Sequence, residues 1–358
     1  MIKHEPFFKT ILLILLLVSP ILVSSSKCTC EEETQEQNTS QNSLITYKLI
    51  AIFSILVAST LGVSLPFLVS NISSLNPQGE TFALIKAFAA GVILATGFMH
   101  ILPDAIESLT SPCLNENPWR KFPFTGFFAM LSAIGTLMME TFASGYHKRS
   151  ELRKAKPLST TASGGEEIIM NVDHHHHHQD HDGHGNVSDF ALERTNSWEV
   201  MRHRIVSQVL ELGIVVHSVI IGLSLGVSQS SKTIRPLIAA LSFHQFFEGM
   251  ALGGCISLAK FKSKTIVTMI LFFSMTTPSG IAVGIGISKM YNSNSPTSLI
   301  VEGILNSLSA GILIYMALVD LLANDFMTSL MLTNFRLQLG ANLTLLLGAC
   351  SMSLLAKW

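Results

Sequence analysis

Eight long apolar stretches follow one another along this chain, at about 48–70, 81–102, 123–145, 205–228, 235–258, 264–287, 298–322 and 336–355. Each can cross a hydrocarbon core of ~30 Å as a helix, which takes ~20 residues. Lipid offers no partner to a backbone N–H or C=O, so a spanning segment must close its own hydrogen bonds. The expected fold class is therefore an all-α integral membrane protein with eight transmembrane helices. Composition agrees. Of 358 residues only 13% are Asp, Glu, Lys or Arg, and the formal net charge is −1. That is about half the usual charged share. Such a chain has no basic face for nucleic acid. It is too apolar to be disordered, and too poor in charge for a large soluble enzyme.

Residues 1–26 read as a signal peptide. Lys3 and Lys9 form a basic start, Ile11 to Val23 an apolar run, and Ser24–Ser26 a small-residue cleavage region. The run is shorter than a span needs. A first membrane anchor is the competing reading. Cleavage would leave 27–47 as an extracellular N-terminal segment. Spans one to three follow at 48–145, a cytosolic loop at 146–204, and spans four to eight at 205–358. The inner connections then hold 12 Lys and Arg against 8 outside, the sign that the positive-inside rule requires. Cys28, Cys30 and Cys113 fall outside, where disulfides persist. Cys113 can pair with either of the other two. Asn38-Thr39-Ser40 is a glycosylation pattern on the outer side, whereas Asn71 and Asn186 lie in patterns placed in the cytosol.

The long loop carries His174, His175, His176, His177, His178, His181 and His184 among Asp173, Asp180 and Asp182. Clustered imidazoles and carboxylates bind divalent transition metals. A tolerated low-complexity tract is the plainer reading.

Polar residues inside two apolar spans carry more weight, because burying them in lipid is costly and points to function. The fourth span holds His217 and Ser218; the fifth holds His244, Gln245 and Glu248. His244 and Glu248, four apart, share a helix face. The small-residue pairs Gly222/Gly226 and Gly249/Gly253 are expected to let these two helices approach closely. His217, His244 and Glu248 could then surround one ion, with Ser218 and Gln245 as weaker partners. His100 and Asp104, again four apart, end the second span and suggest an outer gathering site for cations. Glu302, Asn306 and Asp320 on the seventh span fit inward-facing polar groups and helix-packing groups equally. Pro278, with Gly280, Gly284 and Gly286, is expected to break the sixth span.

His217-Ser218-Val-Ile-Ile-Gly222 and His244-Gln245-Phe-Phe-Glu248-Gly249 resemble the paired motifs of the ZIP (Zrt/Irt-like) metal transporters, in their plant branch. The resemblance covers about 45–358. It implies inverted three-helix repeats around a central helix pair. It implies import of Zn²⁺ or Fe²⁺ into the cytosol between the fourth and fifth spans, by sliding or rocking of one helix group against another. The metal is cargo, and no cofactor is expected. Imidazole and carboxylate without thiolate also suit Mn²⁺, and Cd²⁺ is not distinguished from these. Many members carry an acidic residue four after the fourth-span His; Ile221 stands here, which favours one main mid-membrane metal. The expected surroundings are the bilayer, the plasma membrane as address and a homodimer as assembly, with no nucleic acid. Two other classes compete. An intramembrane zinc metallohydrolase would use His217, His244 and Glu248, but lacks HExxH and a spare base. A cation exporter with a His-rich loop usually has six spans and a soluble C-terminal domain.

Overall fold

In the computed structural model of the chain, the described residues are 41–69, 79–154, 185–228, 231–288, 295–323 and 326–355. Long helices dominate, and no strand occurs among these residues. In chain order they are α1 (Gln41–Val69), α2 (Glu80–Leu109), α3 (Phe124–Lys154), α4 (Gly185–Val227), α5 (Ser231–Leu258), α6 (Ser263–Ile287), α7 (Pro296–Ala323) and α8 (Phe335–Leu355). Seven of them are long and apolar enough to cross a membrane. α5 falls short by composition, because His244, Gln245 and Glu248 interrupt its apolar run. The signal peptide, Asn38 and the His174–His184 tract lie outside the described residues. α4 begins well before its apolar stretch and α3 ends beyond its own, so part of the 146–204 connection is helical. Cys113 is disulfide-bonded, with a partner outside the described residues.

Lipid tails are as apolar as leucine, so burial alone does not drive these helices together; close packing does. Glycines show where backbones touch. A methyl group at Gly62 of α1 would overlap the Phe246 carbonyl of α5, and one at Gly249 would lie 2.9 Å from the Val63 amide nitrogen. Gly222 of α4 meets the Thr277 carbonyl of α6 at 2.7 Å in the same sense, and Gly284 of α6 meets that of Leu223 at 2.6 Å. Gly91 and Gly348 join α2 to α8, and Gly311 joins α7 to α3. The pairs are thus α1/α5, α4/α6, α2/α8 and α3/α7. This corrects one expectation: Gly222/Gly226 and Gly249/Gly253 do not pack α4 on α5. They face α6 and α1, because the close-contact stripe of each helix points away from its chain neighbour.

Packing gathers α1, α4, α5 and α6 into one group and α2, α3, α7 and α8 into another. Ala51, Ile55, Leu225, Leu241 and Ile281 form a core inside the first group. A larger core with Ile93, Leu210, Ile214, Phe273 and Met316 lies where the two groups meet. At one end of the first group, Lys48 donates from Nζ to the Gly226 carbonyl at 2.6 Å, tying α1 to α4. Arg235 donates to the Tyr47 hydroxyl and stacks on its ring.

Two helices carry a π-helical turn, Thr96–Ile101 in α2 and Met316–Ala323 in α7. Pro103 accounts for the first. It has no N–H to give the Met99 carbonyl and its ring crowds that group, so the ladder widens. α6, by contrast, stays continuous through Pro278. The expected break is absent because Gly280 and Gly284 serve as contact points on α4 rather than as hinges.

Candidate metal site

α4 places His217 and Ser218 within its membrane-spanning part, about three turns before its C-terminal end, and α5 places His244, Gln245 and Glu248 near its middle. All five are buried, at 2% exposure or less. The His217 and His244 ring centroids lie 6.0 Å apart. The π turn of α2 adds a third imidazole. His100 packs edge-on to His217 at 5.7 Å and lies 5.9 Å from His244. Three imidazoles from three helices thus form a nearly equilateral triangle across the seam between the helix groups.

Hydrogen bonding sets this cluster apart. Both ring nitrogens of His217, both Glu248 oxygens, Ser218 Oγ and Gln245 Nε2 are buried without a partner, and neither ring nitrogen of His244 makes a well-formed hydrogen bond. Each such group costs roughly 1–3 kcal/mol when left unsatisfied. The cost is the more informative because several other hydroxyls in these helices satisfy themselves locally. Thr276 donates to the Phe272 carbonyl at 2.6 Å, Ser307 to that of Gly303 at 2.6 Å and Thr96 to that of Val92 at 2.9 Å. Imidazole nitrogens with carboxylate and hydroxyl oxygens that no protein group answers are what a divalent transition metal can bind, whereas the Gln245 amide would have to offer its oxygen. No group of three or more His, Cys, Asp or Glu among the described residues is drawn tight enough to hold an ion as it stands. With metal–nitrogen bonds of ~2.0 Å, three rings on one tetrahedral ion would have centroids about 5 Å apart. The triangle needs to close by less than about 1 Å per edge, within the reach of side-chain rotation.

The expected outer pair adjoins this cluster rather than standing apart from it. His100 Nδ1 lies 3.6 Å from Asp104 Oδ2, and the Asp104 side chain is 41% exposed. His100 therefore has the buried cluster on one side and a wet carboxylate on the other. Glu302 of α7 accepts a hydrogen bond from Ser224 Oγ of α4 at 3.3 Å. Glu302 lies within electrostatic range of Asp104 and Glu107.

Sequence reading did not find Ser274 and Thr277 of α6, whose hydroxyls are also buried without a partner. Gly222 sits against Thr277, which puts these hydroxyls at about the level of Ser218 on the adjoining helix. A hydroxyl in an apolar span normally bonds its own backbone, so nothing in the string separates Thr277 from Thr276. Asn306 Oδ1 is likewise buried and unpartnered.

A family model for ZIP zinc transporters matches residues 45–356. The chain belongs to the ZIP family. The resemblance carried by the His217 and His244 motifs is met over the whole helical region. The chain is 48% identical over 339 residues to a zinc transporter of Oryza sativa subsp. japonica, zinc transporter 5, covering 95% of this chain and 94% of that one. It is 54% identical over 340 residues to zinc transporter 8 of the same plant, covering 87% of each. It is 51% identical over 313 residues to Fe(2+) transport protein 1 of that plant, covering 87% of this chain and 83% of the other. ZIP membership makes this a multi-pass membrane protein of a transporter family, not an enzyme, which sets aside the metallohydrolase reading of His217, His244 and Glu248. In these ZIP relatives the metals named are cargo rather than cofactors.

Proposed function

We propose that this ZIP protein imports divalent metal, Zn²⁺ or Fe²⁺, into the cytosol through a site formed by His217, His244 and Glu248, with His100 as a further ligand and Ser218 and Gln245 as weaker partners. The observation that carries the reading is the buried imidazole triangle with its unanswered donor atoms, set between two helix groups. A site at such a seam can be uncovered from either side as the groups slide or rock. Its ligands are neutral imidazoles, carboxylate and amide, without thiolate, which favours binding loose enough to release. Ile221 leaves the site one carboxylate short of a pair, in keeping with one main ion.

Helix directions support eight spans. Gly222 lies against Thr277 and Gly226 against Ile281, so α4 and α6 run parallel. A chain that returns in the same direction has crossed in between, and α5 is the segment available to do so. The pairing supports inverted repeats as well. Exchanging α1 with α6, α2 with α7, α3 with α8 and α4 with α5 turns α1/α5 into α6/α4 and α2/α8 into α7/α3. It also exchanges the two helices that carry π turns.

Radiotracer uptake by cells expressing the protein tests the reading. Zinc or iron accumulates inside, saturably, above the level of untransfected cells; loss of metal from preloaded cells would instead mark an exporter. Asp104→Ala is expected to raise KM for uptake several-fold while lowering the maximal rate less, because this carboxylate gathers ions ahead of the buried ligands. Unchanged KM for every metal tried would remove that role. The His174–His184 tract acts as a cytosolic metal buffer or sensor, since neutral imidazole binds metal at cytosolic pH. Deleting 173–184 leaves initial uptake per surface molecule largely intact and blunts the response to excess zinc. Near-zero uptake by a correctly placed deletion would make the tract an obligatory relay instead. The plasma membrane is the proposed address and a homodimer the proposed assembly; surface biotinylation and cross-linking test these two points.

A further inference from the structure

At one end of the seam a second polar cluster ties the helix groups together. Arg202 of α4 reaches Glu140 Oε1 of α3 with Nε at 3.3 Å and Asp320 Oδ1 of α7 with Nη2 at 3.4 Å. Tyr315 of α7 donates its hydroxyl to Glu140 Oε2 at 2.8 Å, which orients that carboxylate toward the guanidinium. The Asp320 side chain is 1% exposed and that of Glu140 13%, against 30% for Arg202. Asp320 lies in the π turn of α7, just beyond Tyr315. Two carboxylates from one helix group thus share a single cation from the other.

Two other polar links across the seam have uncharged hydroxyl donors. Ser309 donates to the Gly213 carbonyl at 2.9 Å near the middle, and Ser224 meets Glu302 at 3.3 Å toward the far end. α4 contributes to all of them. Any sliding of α4 past α7 that uncovers this end must draw the guanidinium away from two carboxylates, one of them almost wholly buried. A charge-assisted pair to two acceptors is strong, and separating it strands buried charge. Arg202 has no part in the metal cluster. On the topology proposed above it sits at the cytosolic edge of the part of α4 that spans the membrane, Val200–Val227.

We propose that Arg202 is a positioning residue for transport: by holding Glu140 and Asp320 it latches the cytosolic edge of the α4 span to α3 and α7, and metal release requires this latch to open. The inference rests on the proposed importer topology. A transporter gains from such a latch because a path open at both ends leaks.

Thiol accessibility tests it. Val209 is buried on α4 two turns from Arg202 and on the same face. Val209→Cys is placed in a protein carrying Cys255→Ala and Cys350→Ala, which removes the free thiols of the described residues. Sealed inside-out vesicles, without metal, are treated with a charged, membrane-impermeant maleimide. Arg202→Ala is expected to speed labelling about tenfold, the size expected for loss of a partly exposed ion pair to a buried carboxylate. Arg202→Lys, which keeps the charge, should stay nearer the parent rate. Glu140→Gln should also speed labelling while still accepting from Tyr315, and it carries the test if Arg202→Ala does not reach the membrane. Parent-rate labelling in both Arg202→Ala and Glu140→Gln would overturn the latch, as would equal rates in Arg202→Ala and Arg202→Lys. Zinc uptake by the parent protein is measured in parallel. Faster labelling in the variants with no uptake by the parent would overturn the importer reading and leave the latch standing.

Discussion

Alanine at His217, His244 or Glu248 is expected to abolish metal uptake while the protein still reaches the membrane. Loss of a mere supporting group around a metal costs 10–100-fold, so loss of a ligand is expected to exceed about 100-fold. Uptake normalised to surface protein measures this, and parent-level transport by two of the three variants would remove the assignment. The same residues should show an opposite effect on stability. Glu248 is fully buried with both oxygens unanswered. Replacing it by methionine, of similar length and without polar atoms to satisfy, relieves roughly 1–3 kcal/mol of unmet hydrogen bonding. Glu248→Met is therefore expected to be inactive and yet to melt a few degrees above the parent in metal-free detergent. A lower melting temperature would mean that Glu248 has a structural partner. Zinc should raise the melting temperature of the parent and leave that of the variant unchanged, since a ligand stabilises only the state that binds it.

Gly62→Ala is expected to cost most of the correctly folded protein. The added methyl overlaps the Phe246 carbonyl, and a carbonyl in a helix backbone cannot rotate away as a side chain can. Overpacking of this kind costs typically 1–3 kcal/mol or more, enough to lower abundance several-fold. Gly226→Ala meets the Ile281 carbonyl and should behave alike. Gly135→Ala is the control. Nothing lies within 4 Å of the new methyl, and alanine is the better helix former by ~1 kcal/mol, so surface level should hold or rise. Fluorescence size-exclusion profiles in detergent give the readout. A normal monodisperse profile for both Gly62→Ala and Gly226→Ala would refute the α1/α5 and α4/α6 pairings.

Much of the candidate site was legible in the string. His217, Ser218, His244, Gln245 and Glu248 stand out because a polar side chain in an apolar run is expensive and seldom accidental. His100 was visible too, but as half of a separate outer pair. Its place beside His217 and His244 depends on the π turn at Thr96–Ile101, which inserts a residue and rotates the remainder of α2 by roughly 100° about the helix axis. Pro103 is the trace of that turn in the sequence, and a proline alone does not say whether a helix will kink, widen or, as at Pro278, run on. Arg202 reads from sequence as one more positive charge in an inner connection; Asp320 fits an inward-facing polar group and a helix-packing group equally, and nothing in the string joins either of them to Glu140.

Membrane insertion, helical form and the polar residues inside the spans were determined by the sequence alone, because hydropathy is a local sum and lipid permits no other backbone form. Which helix lies against which was decided only by the tertiary structure. Lipid and protein are nearly equal partners for an apolar side chain, so the apolar pattern does not encode a neighbour. That choice falls to the few points where backbones fit, such as Gly62 on Phe246 and Gly222 on Thr277, and to charges such as Arg202 that find their partners only after the helices have met.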